Sequence, residues 1–99
     1  MEVKNINKLI EYPKSGVLSK EIIKNKKENI TLFCMAKGTE IGDHTSTKTA
    51  FVHVLEGDGI FTLKGKKIKM LPGVFIPMQK NAIHSLSAIK NTSFMLYLI

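Results

Sequence analysis

The 99-residue chain predicts an all-β fold, a sandwich or a barrel. Three observations carry that reading. Glycine, proline and asparagine turn signals recur about every ten residues from Gly38 onward, a spacing that suits short strands better than helix crossovers. Between the turns, apolar and polar residues alternate with period two. Two histidines, His44 and His84, each follow a turn and enter a strand, so two strands distant in the chain can bring two imidazoles to one site.

In chain order, Ile6, Leu9 and Ile10 stand at helical spacing and predict one turn of helix or an arm; residues 1–14 are taken as that arm and 15–99 as a single barrel domain. Val17 to Lys24 and Ile30 to Ala36 predict two strands separated by the charged loop Asn25 to Asn29. Phe61 and Leu63 alternate with Thr62 and Lys64, and Ile68 and Met70 with Lys67 and Lys69, which sends the lysines outward and the apolar side chains inward. Leu71-Pro72-Gly73-Val74 places proline where φ is preset and glycine where φ is positive, the requirement of a type II turn. Asn81 suits a left-handed position that reverses the chain. Val74-Phe75-Ile76 and Phe94 to Ile99 are continuously apolar, as expected of strands covered on both faces by the facing sheet or by another subunit.

Composition narrows the function classes. One domain of this length has a single core. The longest apolar run, Phe94 to Ile99, is far shorter than the roughly 20 residues of a membrane helix, and the first residues lack a signal peptide's apolar segment. The expectation is a soluble, cytoplasmic protein with no membrane partner. A single cysteine, Cys34, excludes an internal disulfide framework and a cysteine-based zinc cluster. All 15 basic side chains are lysine, against 8 acidic ones, for a net charge of +7. Arginine is the side chain favoured for bidentate recognition of phosphate and guanine, and the few aromatics are not interleaved with the lysines, so a nucleic-acid partner is disfavoured.

From Gly38 onward the residues resemble the cupin superfamily, specifically its small single-domain members. The family's first motif is G-x5-H-x-H-x3-4-E-x6-G and its second G-x5-P-x-G-x2-H-x3-N. Gly38, His44 and Gly57 match the first, with Phe51-Val52-His53-Val54-Leu55-Glu56-Gly57 as its closing strand and turn; Leu71 to Pro77 followed by His84 resembles the second. The resemblance covers about residues 30–99. It implies a small antiparallel double-sheet β-barrel, jelly-roll-like, and a homodimer built through exchanged or docked N-terminal strands, which gives Val17 to Lys24 a role.

Two of the family's four metal ligands are missing. Ser46 stands where the second histidine belongs and Ala50 where the glutamate belongs, leaving His44 and His84. Measured from Pro77, the second motif is also two residues longer than the pattern, with Asn81 in place of its glycine. Zinc takes three or four protein ligands and mononuclear iron two histidines with a carboxylate, so two histidines form an incomplete site, suited at most to a weakly bound zinc, nickel, iron or copper ion. His53 is the candidate third donor, but strand parity places it on the opposite face from positions 44, 46, 50, 52 and 54 unless a bulge intervenes. Asp43 and Glu40 lie near His44 in a turn of unfixed direction, and Cys34 and Met35 on a neighbouring predicted strand. Cys34 reads as a small core residue and Met35, Met70, Met78 and Met95 as filler of the barrel interior, with a soft-metal thioether site as the second choice; Thr45-Ser46-Thr47 reads as loop or pocket rim.

Two functions follow. In the first, the barrel binds a small molecule in an apolar pocket whose polar groups are His44 and His84, with Ser46 and His53 as neighbours, and a rim rich in lysine favours an anionic ligand. In the second, the resemblance implies a metal-dependent enzyme of oxygenase, isomerase or lyase type using His44 and His84. The sequence assigns no catalytic residue.

Overall fold

A computed structural model describes residues 2–99, so Met1 of the expected arm lies outside the described residues. A four-residue helix α1 (Ile6–Leu9) precedes nine strands: β1 (Val17–Lys24), β2 (Asn29–Met35), β3 (Glu40–His44), β4 (Ala50–Glu56), β5 (Gly59–Leu63), β6 (Lys66–Met70), β7 (Phe75–Met78), β8 (His84–Ala88) and β9 (Thr92–Leu98). They form two antiparallel sheets, ordered β1-β2-β9-β4-β7 and β3-β8-β5-β6. The fold is the all-β double-sheet barrel expected of the sequence. Among the described residues, no helix is long and apolar enough to cross a membrane.

Turn chemistry sets the strand ends. Gly73 has φ 89° and Val74 N–H donates to the Leu71 carbonyl at 3.0 Å, the hydrogen bond of the expected type II turn. Asn81 takes φ 63°, the left-handed conformation asparagine tolerates best among residues with a Cβ.

Parity then builds the core. Along β4 the inward residues Ala50, Val52 and Val54 are buried, while Phe51, His53 and Leu55 face the other side. They join Met35, Phe61, Met70, Ile76, Met78, Leu86, Ala88 and Phe94 between the two sheets. Phe33 and Phe94, register partners on β2 and β9, stack at 5.2 Å between ring centroids.

The continuously apolar strand β9 is covered on both faces, and part of that cover comes from this chain's own N-terminal arm. On the outer face of the larger sheet, Leu32, Cys34 and Met95 are buried beneath Ile6, Leu9, Ile10 and Tyr12. Lys20 Nζ donates to the Leu9 carbonyl and to Glu11 Oε1, both at 2.9 Å, and Tyr12 O–H donates to Glu56 Oε1 at 2.6 Å, so the arm is tied down at both ends of the cover. Burial, reinforced by the Glu56 carboxylate, raises the Tyr12 phenol above its usual pKa and keeps it a donor. Cys34 is thereby a buried core thiol. β1 pairs with β2 of the same chain.

Within this chain β7 is covered on one face only. Its Ile76 is buried, but Phe75 is 55% exposed on the outer face, stacked on Phe51 at 5.7 Å. The arm packs over β2 and β9 and reaches the end of β4 at Leu55 and Glu56, but Phe75 is not part of its cluster.

Candidate functional site

His44 ends β3 and His84 begins β8, and the two residues are register partners across a bulge in β3 between Ile41 and His44. Their ring centroids lie 4.0 Å apart with the planes at 59°. Each ring is held in the same way. His44 Nδ1 lies 2.9 Å from the Gly42 carbonyl, and His84 Nδ1 lies 2.9 Å from the Ala82 carbonyl. A carbonyl oxygen only accepts, so both Nδ1 atoms carry the proton and donate. Both Nε2 atoms of the neutral rings therefore carry lone pairs.

The surroundings of the two rings differ. His84 is 6% exposed and stacks on Phe61, with centroids 5.6 Å apart and planes at 6°, whereas His44 is exposed at the barrel mouth. Between them and the sheets lies a cavity of about 60 Å³ lined by His44, His84, Met78, Phe33, Ile41, Val52, Phe61, Leu86, Phe94 and Leu96. Burial lowers the pKa of His84 from its ordinary 6.5; the Ala82 carbonyl opposes that shift and the neighbouring His44 adds to it.

A pH dependence follows with a fixed sign. The unfolded chain protonates His84 below about 6.5 while the folded protein still resists. Stability is therefore unaffected by this group above that pH, falls as pH drops below it, and levels off once the folded ring also protonates. Urea denaturation across this range should show the loss in the wild-type protein and a smaller slope in His84→Asn.

The other candidate residues are not brought to the pair. His53 faces outward from β4, its ring 6.5 Å from that of Phe75. The bulge in β4 falls between Val54 and Glu56, past His53, and so does not reverse its parity. Ser46 does not line the cavity; its hydroxyl accepts from Lys48 N–H at 3.2 Å and its carbonyl from Asn81 N–H at 2.7 Å, tying the β3-β4 loop to the β7-β8 loop. Glu40 and Asp43 face an outer depression on the smaller sheet with Ser85 and Ser87. Among the described residues, no three or more histidine, cysteine or acidic side chains gather in a way that could hold a metal ion. The four-ligand carboxylate site that the resemblance implies does not fit these residues.

Met78 lines the site, whereas the sequence reading placed it among core filler, with a soft-metal thioether site as the second choice. It is 5% exposed, lines the cavity, and is the register partner of Ala50 on β4. The signal was its parity with the buried Ile76 on the strand that leads to His84. The second motif also needs recounting. Counted from Gly73, its proline position is Gln79, not Pro77, and Asn81 and His84 then fall in register with the pattern. Ala82 N–H donates to the Gln79 carbonyl and Lys64 N–H to the Ile83 carbonyl, so the loop is closed without that proline.

Comparison with known proteins agrees with this architecture. A search of curated proteins finds no match. A conserved protein of unknown function from Streptococcus pyogenes superposes with a TM-score of 0.89 at 26% identity, covering 99% of this chain and 86% of its own. A cupin superfamily protein from Desulfitobacterium hafniense gives 0.87 at 21% identity over 93% of this chain and 84% of its own. The salicylate 1,2-dioxygenase of Pseudoaminobacter salicylatoxidans gives 0.78 at 16% identity over 84% of this chain but only 26% of its own, a likeness of fold alone. The sequence profile of the cupin domain matches residues 31–99. With the barrel, the histidine pair and this match in hand, the chain belongs to the cupin family.

Proposed function

We propose that this cupin is a binding protein whose site accepts a small ligand bearing an N–H or O–H donor, held between His44 and His84. One observation supports the reading above the others: both Nδ1 atoms are committed to backbone carbonyls, so the pair offers two Nε2 acceptors to an otherwise apolar cavity. Two neutral rings in this tautomer cannot satisfy each other, so each Nε2 takes its hydrogen bond from water or from a ligand that brings the donor.

The same geometry argues against the anionic ligand that the lysine excess suggests. None of the residues lining the cavity is lysine, and Lys66, Lys67 and Lys69 are exposed on β6. An anion would meet two lone pairs. The cavity, at about 60 Å³, also selects for size, since drug-sized pockets run to several hundred cubic ångströms.

Ethanol, methylammonium and acetate make a set of probes of one size and different chemistry. Side-chain ¹⁵N spectra at neutral pH should show ethanol and methylammonium shifting the Nε2 signals of His44 and His84, and acetate leaving them in place. The shifts should vanish in His44→Ala, a substitution at an exposed ring that leaves the core intact. Preferential binding of acetate, or ethanol shifts that persist in His44→Ala, would contradict the reading.

A further inference from the structure

We propose that the groove between the β5-β6 hairpin and the β7-β8 loop is a second binding site, for a small monocarboxylic acid with an apolar body, and that Lys64 supplies its counter-charge. The site is separate from the histidine cavity and does not depend on the function proposed for it.

Size is the first observation. The groove measures about 400 Å³, in the range of small-molecule sites, whereas the histidine cavity, at about 60 Å³, lies far below it. Phe51, Leu63, Pro77, Met78 and Ala82 give the groove its apolar wall. Met78 also lines the histidine cavity, so the two spaces are neighbours, but neither histidine lines the groove.

Charge selects the head of the ligand. Lys64 is the charged residue of the lining, with Thr49 and Gln79 as neutral polar neighbours, and no acidic residue takes part. Among the described residues, the ion pairs involve Lys4, Lys20, Lys24 and Lys69, and Lys64 is in none of them. Lys48 precedes Thr49 and the exposed Lys80 follows Gln79, which adds positive charge at two flanking positions. A hydrocarbon wall beside an unpaired ammonium complements an amphipathic anion, whose body leaves water against the wall while its carboxylate meets the lysine. A cation is repelled there, and a neutral ligand leaves Lys64 without a partner.

The backbone supplies an independent sign. Leu63 and Lys66 close the β5-β6 hairpin, and the two residues between them, Lys64 and Gly65, take φ 50° and 82°. Positive φ at both central positions is the type I′ turn, for which Asn-Gly is the favoured sequence. Glycine holds the second position, but the first carries lysine, at a steric cost that asparagine tolerates better. Lys64 N–H donates to the Ile83 carbonyl at 2.9 Å, tying the turn to the β7-β8 loop and fixing the root of the side chain at the groove. A turn position that asparagine would fill with less strain is thus given to the residue that brings the charge.

The test is titration of ¹⁵N-labelled protein with benzoate, benzylamine and acetate, followed at the backbone amides of Thr49, Lys64, Gln79 and Ala82 and at Nε2 of His44 and His84. Benzoate should shift the groove amides saturably, with a dissociation constant on the order of 1 mM, and leave the Nε2 signals in place. Benzylamine, a cation with a similar body, and acetate, the head without the body, should each bind at least about tenfold more weakly. Lys64→Asn should lose about tenfold in benzoate affinity while unfolding at the same temperature as the wild type or higher, because asparagine relieves the turn. Lys64→Arg should keep the affinity. Equal benzoate affinity in Lys64→Asn, benzylamine bound as tightly as benzoate, or benzoate shifts confined to the histidine Nε2 atoms would overturn the proposal.

Discussion

Replacing Gly57 with alanine is expected to destabilise the barrel by about 4 kcal/mol or more, among the largest effects available to a single methyl group. Gly57 links β4 to β5 with φ 113°, a backbone conformation that costs a residue with a Cβ about 1–3 kcal/mol. Space adds to strain. A Cβ at this position would stand 2.5 Å from Thr92 Cα and 2.5 Å from Thr92 Oγ1, with the Asn91 carbonyl equally in the way. Those atoms cannot move aside, because Thr92 is fully buried and its hydroxyl is tied to Asp58 N–H at 3.2 Å and to the Lys90 carbonyl at 2.8 Å. Gly73 is the control. It also has positive φ, 89°, but nothing lies within 4 Å of an added Cβ, so Gly73→Ala should cost only about 1–3 kcal/mol. Urea denaturation of the two variants decides: equal losses would show that the close approach at Gly57 is not what selects glycine.

Phe61→Ala should cost about 3–5 kcal/mol and alter the site as well as the core. Phe61 is 1% exposed in the centre of β5 and contributes both to the packing between the sheets and to the flat stack against His84. Removing the ring leaves a cavity beside His84 and admits water to the imidazole whose low pKa is owed first to burial. The His84 pKa should therefore rise back toward 6.5 in the variant. Phe61→Leu should retain most of the stability, losing about 1–1.5 kcal/mol. Denaturation and an NMR titration of His84 measure both consequences, and an unshifted pKa in Phe61→Ala would mean that the stacked ring is not what keeps His84 dry.

Much of this architecture was legible in the residues because turns and alternation are local. Leu71 to Val74 and Asn81 disclose their backbone conformation through steric preference alone, and the inward set Ala50, Val52 and Val54 follows from period two. The same parity placed His53 on the outer face, and without a bulge before it there was nothing to reverse that direction. What stayed hidden depends on tertiary arrangement. The arm's cover of Leu32, Cys34 and Met95 joins segments whose pairing no local pattern encodes. Continuous apolarity did not separate cover by this chain from cover by another subunit, and within this chain Phe75 is exposed. Met78 looked like filler because its importance lies in its register with Ala50 and its place in the cavity of the histidine pair. Pro77 misled the count by standing two residues before the motif position, which Gln79 holds.

The central claim is that His44 and His84 both present a bare Nε2 to the cavity. Long-range ¹H–¹⁵N correlation spectra of the histidine side chains at neutral pH read this directly. The account predicts that both rings have a protonated Nδ1 and an unprotonated, pyridine-like Nε2. An Nε2–H tautomer on either ring would contradict it, because one of the two lone pairs on which the site is built would then be absent.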